Sequence, residues 1–399
     1  MSNHQIYRGD LMITLKKGEI GPLVEMLQLA LQRAGYPTDI SGNFNEELEN
    51  TLKEFQKAND LTTDGISGPN TWAKLEPYLK GYQKDEQGNI KQFVFDIVPT
   101  NIRYVWELLS YIVNGLSVRY PFIETGNIGK SVMGNDIFYI KIGTGQTEVM
   151  YNATHHANEW ITTPLLLKFA EQYAKAYEEK GEIFGKSAED LFNSKTLYII
   201  PCVNPDGMDV VNGGLPVGEY YNNVLAISKN YPQIPFPDGW KANINGIDLN
   251  LNYPANWQKA KEIKYEQGYT SPAPRDFVGV DPLCEPESIA MYNFTLNHQF
   301  ALTLSYHTQG KVIYWKYLDY IPKRSYTIGQ KLAEVSGYTL SLTPEESSYA
   351  GYKDWFIQAF NKPGYTVEAG VGINPLPLSQ FNDIYNDNYG LLTTALEME

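Results

Sequence analysis

Residues 154–160 read Thr-His-His-Ala-Asn-Glu-Trp, "THHANEW", between the apolar runs "TEVMYNA" and "ITTPLLLKFAEQYAKAYEEK". The first run reads as a buried strand, and the second has the length and spacing of a long helix. The whole chain holds only five histidines in 399 residues, so two side by side at a strand end call for a reason. His156 and Glu159 are three apart. On a helical turn such positions share a face, and an imidazole and a carboxylate there can grip one ion. The same spacing also occurs as surface decoration. It is not the His-Glu-x-x-His zinc motif, whose glutamate is a base rather than a ligand.

A catalytic zinc takes three protein ligands and leaves a fourth position open. Of the other histidines, His4 belongs to the N-terminal tail, and His298 in "FTLNHQF" suits a structural role at a helix end. His307 closes the strand-like run "ALTLSYHTQG", the same kind of address as His156, and is the expected third ligand. His155 reads as a neighbour packed or hydrogen-bonded behind the site.

Working outward, a helix ("NIRYVWELLSYIVNGL") precedes β-rich runs that include "IFYIKIG", "KTLYIIPCVNP" and "GYTVEAG". Buried strands alternating with helices predict an α/β sheet with helices on its faces, and polar residues gather past the strands' C-terminal ends. In front of this lies a different pattern. "GPLVEMLQLALQRAGY" spaces Leu23, Met26, Leu27, Ala30, Leu31 and Ala34 for a helix that Gly35 can cap. "NEELENTLKEFQKAND" repeats it with Leu48, Leu52 and Phe55 behind the N-cap candidate Asn45, and a last helix carries Trp72 and Leu75. The expected organisation is a three-helix bundle at 16–80, a polar, glycine-containing linker at 81–98 and a catalytic domain at 99–399.

Hydrophobic residues make up 43% of the chain and charged ones 20%, as in a soluble protein with a sizeable core. The formal net charge of −14 and the lack of any basic stripe argue against nucleic acid as a partner. No apolar run approaches the roughly 20 residues of a membrane span, so no membrane insertion is expected. The opening "MSNHQIYRGDLMITLKKG" lacks the basic start and apolar core of a secretory signal. Cys202 and Cys284 make no disulfide framework, and Cys202 in "LYIIPCVNP" reads as a buried free thiol. Oligomeric state is left open.

The wording of the front segment is more specific than its periodicity. "LQLALQRAGY", "GNF" and "LKEFQKANDLTTDGISGPNTWAKL" resemble the peptidoglycan-binding domain of bacterial wall hydrolases across nearly all of residues 16–80, with Phe55-Gln56, Asp64-Gly65 and Thr71-Trp72 in family order. Over residues 99–399, "HANEW", "NPDG", "GIDLNLNYP", "SYHTQG" and "YTVEAG" follow the order of the zinc carboxypeptidase A family. That resemblance implies a mixed twisted sheet flanked by helices and one catalytic Zn2+ held by His156, Glu159 and His307. It implies Glu368 as general base and Asp248 as the group orienting the first zinc histidine. The family's oxyanion-binding arginine has no counterpart here; Lys241 falls at the matching place, with a surface lysine beside the cleft as the alternative. Tyr349 and Tyr352 are both candidates for the family's mobile cleft tyrosine, Tyr349 the favoured one.

Exopeptidases of this family hold the substrate's terminal carboxylate with an Asn-Arg pair. Here Asn250 is retained but Leu251 follows it, and leucine cannot bind a carboxylate. Together with the wall-binding module, this resembles the γ-D-glutamyl-L-diamino acid endopeptidases of spore-forming bacteria, which cut peptidoglycan stem peptides before meso-diaminopimelate. The implied partners are peptidoglycan stem peptides and the cell wall, and the implied location is the wall, the spore or the cytoplasm of a bacterium. The alternatives are a metallocarboxypeptidase of broader specificity and a non-catalytic wall- or spore-associated binding protein. On this reading Leu251→Arg is expected to restore preference for a free terminal carboxylate.

Overall fold

The computed structural model describes residues 7–8 and 11–398; His4 lies outside them. The chain forms two compact units. One runs up to Pro121 and includes Asn212–Gly214, and the other begins at Phe122.

In the first unit, α1 (Pro22–Arg33), α2 (Glu46–Ala58) and α3 (Pro69–Lys80) form a bundle whose core includes Met26, Leu27, Leu31, Leu48, Leu52, Phe55, Trp72 and Leu75. Asn45 caps α2 by accepting the Leu48 N–H at 2.9 Å. Gly35, at φ 90°, lets the Tyr36 N–H return to the Leu31 carbonyl at 2.9 Å and end α1. The paired landmarks of the sequence turn out to be one hydrogen-bonded device. Gln56 is buried; its amide donates to Asp64 Oδ1 and to the Ile66 carbonyl, both at 3.0 Å, and accepts the Gly65 N–H at 2.9 Å.

Residues 81–98 carry a hairpin, Tyr82–Lys84 against Ile90–Gln92, rather than a bare connection. The stretch that follows it is gripped by guanidinium groups: Arg119 donates to the Phe93 carbonyl at 2.8 Å, and Arg33 to the Asp96 carbonyl at 2.7 Å. The hairpin itself is almost wholly exposed and so carries no apolar pattern, while Ile97 and Val98 at the end of the segment are buried. Helix α4 (Trp106–Arg119) packs on α3, so the compact unit extends past residue 98 to Pro121.

The second unit is built on eight strands: β1 (Glu124–Lys130), β2 (Asp136–Gly143), β3 (Thr147–Ala153), β4 (Lys195–Ile200), β5 (Leu302–His307), β6 (Val312–Tyr314), β7 (Thr339–Ser341) and β8 (Gly364–Glu368). They lie in the order β7-β6-β8-β5-β3-β4-β2-β1. The central β8, β5, β3 and β4 are parallel, whereas β1–β2, β2–β4 and β6–β8 pair antiparallel, so the sheet is mixed. Successive residues of β3 show that helices cover both faces. Met150 packs in a cluster with Tyr352, Trp355 and Phe356 of helix Tyr352–Phe360. Tyr151 turns the other way, against Phe169 of helix Thr162–Glu178, and donates its hydroxyl to the Leu392 carbonyl of helix Phe381–Met398 at 2.6 Å.

One buried acid gives this unit a pH dependence. Glu287 is fully buried, with Oε1 accepting the Val132 N–H at 3.1 Å and Oε2 accepting from Asn243 at 3.3 Å. Burial, with the Asp206 charge adding to it, pushes its pKa up to about 8. A carboxyl raised above its unfolded value binds more protons in the native state, so its contribution is full at low pH and is lost as pH rises through about 8. The melting temperature should therefore fall from about pH 4.5 to about pH 8 and level off above that. Glu287→Gln, which cannot ionise, should flatten that slope; an unchanged slope would show that the acid is not its source.

Candidate active site

Strand register assembles the site. In the ladders of β5, Tyr306 pairs with Ala153 of β3, and His307 pairs with Glu368 of β8. His307 and Glu368 are thus neighbours on the C-terminal edge, and the chain leaving β3 delivers His155 and His156 beside them. Thr154 makes that exit in the left-handed region, at φ 56°, with its hydroxyl 2.9 Å from that of Thr162 and 2.8 Å from that of Thr163. A single 3₁₀ turn follows, Ala157–Glu159, in which positions three apart eclipse one another. That is how His156 and Glu159 come to face the same point.

The "NPDG" motif braces this turn. Asn204 donates to the carbonyls of His155 and Ala242, both at 3.1 Å, and accepts the Gly207 N–H at 3.0 Å. A Cβ on Gly207 would sit 2.6 Å from the Asn204 side chain, which is why glycine stands there.

His156 Nδ1 lies 3.0 Å from Glu159 Oε1, His307 Nδ1 lies 2.9 Å from Glu159 Oε2, and the two Nδ1 atoms are 3.2 Å apart. His156 Nε2 faces Asp248 Oδ1 at 3.1 Å; donating there assigns its proton to Nε2 and leaves the Nδ1 lone pair turned inward. Two imidazole nitrogens and a carboxylate aimed at one point repel unless a proton or cation lies between them. Ligand atoms about 2.0–2.1 Å from a tetrahedral zinc stand about 3.3 Å from each other, so the donor set and spacing fit that ion. Among the described residues no other group of three such side chains converges in this way.

The charges around the triad are strongly coupled. Burial disfavours a charged His156, the Glu159 carboxylate outweighs this, and the pKa stands at about 9. Burial likewise opposes ionisation of Glu159 and Asp248, but the His156 charge beside them holds both well below the usual carboxylate range. Lys241 is largely buried, with Nζ 3.1 Å from Glu159 Oε1, and that carboxylate keeps its pKa raised against burial. Glu368, half-buried at the end of β8, is pushed up to about 8 by desolvation and then by the Glu159 charge. A divalent cation in the triad would pull it back down.

The other expected residues find distinct places. Asn250 Oδ1 accepts the Tyr352 N–H at 3.0 Å, so a ligand contact falls to its Nδ2. Tyr352 is fully buried with its hydroxyl on Thr295 at 2.9 Å, whereas Tyr349 is half-buried and lines a cavity with Lys316, Asp319 and Thr343. Tyr352 is thus fixed in the interior, and Tyr349 is the more exposed of the two. His155 is fully buried with Nε2 3.0 Å from the Tyr253 hydroxyl, and His298 Nδ1 bonds back to the Phe294 carbonyl at 2.7 Å among aromatic rings. Cys202 and Cys284 are both free, Cys202 buried.

Leu251 changes an expectation. Its side chain packs with Trp257, Ala260, Val278 and Ala350 and with Tyr349, so an arginine there would have to bury its charge in an apolar cluster. Leu251→Arg is therefore not expected simply to restore carboxylate preference. Sequence spacing also missed Asn374, in the loop after β8, which donates to the Thr308 carbonyl at 3.0 Å and reaches Glu159 Oε1 at 3.4 Å.

A mixed sheet carrying two histidines and a glutamate at adjacent strand ends defines a metallopeptidase of the carboxypeptidase type. The chain belongs to the zinc carboxypeptidase family, whose sequence model matches residues 110–389. The model of a peptidoglycan binding domain matches residues 20–75. The chain is 42% identical over 293 residues to gamma-D-glutamyl-L-diamino acid endopeptidase 1 of Lysinibacillus sphaericus, covering 73% of this chain and 72% of that protein. It is also 42% identical over 370 residues to the uncharacterized protein YqgT of Bacillus subtilis (strain 168), covering 88% and 96%. The crystal structure of the carboxypeptidase A from Helicoverpa armigera shares the fold, with a TM-score of 0.55 at 19% identity over 89% of this chain and 87% of that one.

Proposed function

We propose that this chain is a zinc-dependent peptidoglycan hydrolase that cleaves the γ-D-glutamyl–diamino acid bond of wall stem peptides. The observation that carries the reading is the inward-facing His156–Glu159–His307 triad with Glu368 in register beside it, in a chain that also matches a peptidoglycan binding domain. The 42% identity to a γ-D-glutamyl-L-diamino acid endopeptidase supports the choice of bond.

His156, Glu159 and His307 would hold the metal. When bound, zinc supplies a Lewis acid that polarises a carbonyl and lowers the pKa of water from about 16 towards 7. Glu368 accepts the proton of the attacking water and returns it to the departing amine as the C–N bond breaks. Lys241 offers positive charge to the developing oxyanion; it keeps the charge of the family's arginine but not the planar fork. Asp248 fixes the tautomer of His156, and Asn374 helps to hold Glu159. Asn250 Nδ2 and Tyr349 contact substrate.

Among the described residues no helix is long and apolar enough to cross a membrane. We place the protein at the wall, where the helical module raises the local concentration of the peptidase at its substrate.

Mass spectrometry of soluble stem peptides after digestion tests the reading. Tri- and tetrapeptide stems should lose the L-Ala-γ-D-Glu portion from the diamino acid, and blocked dipeptides of α-L-amino acids should be poor substrates. Stepwise release of C-terminal residues instead would make the chain a carboxypeptidase. No cleavage by fully metal-loaded protein would favour a binding role.

A further inference from the structure

The arginine that would hold a substrate carboxylate is replaced by Leu251, and that leucine is committed to an apolar cluster. Yet a γ-linked glutamyl residue keeps a free α-carboxylate, and the diamino acid that follows it carries a carboxyl group of its own. Each needs a cationic partner if it enters a partly desolvated cleft. We propose that Arg275 supplies that partner and is the specificity-determining residue for a free substrate carboxylate flanking the scissile bond; this rests on the wall-peptide reading above.

The segment around Arg275 is stitched to the site at two points. The Pro274 carbonyl accepts the N–H groups of both Lys241, at 2.7 Å, and Ala242, at 2.9 Å, while the Lys241 carbonyl accepts the Ala157 N–H of the ligand turn at 3.0 Å. On the other side of Arg275, the Asp276 N–H donates to Asp248 Oδ2 at 3.2 Å, the carboxylate whose Oδ1 faces His156. Asp276 takes a left-handed φ of 65°, unusual for a residue with a side chain and retained only where the surroundings hold it.

The guanidinium is also anchored. Nε donates to Asp276 Oδ2 at 2.6 Å, and Asp276 Oδ1 is in turn held by Lys264 at 2.7 Å. That anchor engages the Nε edge, and the side chain keeps 40% of its surface exposed. A planar fork with one free edge suits bidentate binding of a carboxylate. The backbone bonds at Pro274 and Asp276 set Arg275 between the segments that carry Lys241 and Asp248.

The test compares kcat/KM for three stem peptides: one with both carboxylates free, one with the glutamyl α-carboxylate converted to the amide, and one with the diamino acid carboxylate converted to the amide. Wild-type enzyme should prefer the free acid over one of the two amides. Arg275→Gln should lower kcat/KM on the free acid by roughly 10²-fold, mainly through KM, and leave the discriminated amide almost unchanged. The amide on which discrimination vanishes identifies which carboxylate Arg275 receives. Arg275→Lys should recover part of the loss, and zinc content and melting temperature should match wild type. Equal losses on all three peptides, or no loss on any, overturns the assignment while leaving the wall-peptide reading in place. A wild-type enzyme that cleaves none of them removes that reading, and this inference with it.

Discussion

His307→Ala should strip the protein of most of its zinc and abolish turnover. The imidazole it removes stands 2.9 Å from Glu159 and 3.2 Å from His156 Nδ1, and no other described residue completes the set. Disturbing even an outer partner of a metal ligand costs roughly 10–100-fold in affinity, so losing a ligand should cost at least that. His298→Ala is the matched control, because His298 bonds to the end of the preceding helix, Pro286–Leu296, and stacks on Phe300. It should keep its zinc and its turnover, and equal metal content in the two variants would refute the ligand assignment. The loading should also depend on pH. With its pKa at about 9, His156 carries a proton in the metal-free protein that zinc must displace. Apparent zinc affinity, followed by chelator competition, should therefore rise with pH up to about that value.

Glu368→Gln should separate chemistry from metal binding. The substitution preserves shape but cannot accept a proton, so kcat at saturating stem peptide should fall by roughly 10²–10⁴-fold with zinc content unchanged. The metal-free pKa of about 8 would leave Glu368 largely protonated and useless as a base at neutral pH. A divalent charge in the triad lowers that value, so the acidic limb of the pH–rate profile should lie well below 8 in the loaded enzyme. The limb should be absent from what activity the glutamine variant retains. Near-normal turnover would mean that another group takes the proton.

Much of this chain was legible without coordinates, because many of its signals act over a few residues. The cap at Asn45, the stop at Gly35 and the helical spacing of Leu48, Leu52 and Phe55 each follow from local backbone chemistry. The eclipsing of His156 and Glu159 also needs only one turn, and His307 was recognisable as a strand end. The hairpin within 81–98 left no hydrophobic period because nearly all of its residues are exposed.

By itself, then, the sequence determined the strand ends and turns that carry the chemistry, together with the residue types standing on them. Tertiary structure alone decided which of those ends meet. The pairing of His307 with Glu368 is a matter of register between two parallel strands, set by how their side chains pack against the helices on either face. The contact of Asn374 with Glu159 spans 215 residues of chain, and that of Asp276 with Asp248 depends on a loop folding back on the ligand turn. Leu251 shows the difference most directly. The substitution was plain in the sequence, but whether its side chain faced the cleft or an apolar cluster depended on Trp257, Val278 and Ala350 closing around it, and no local rule specifies that.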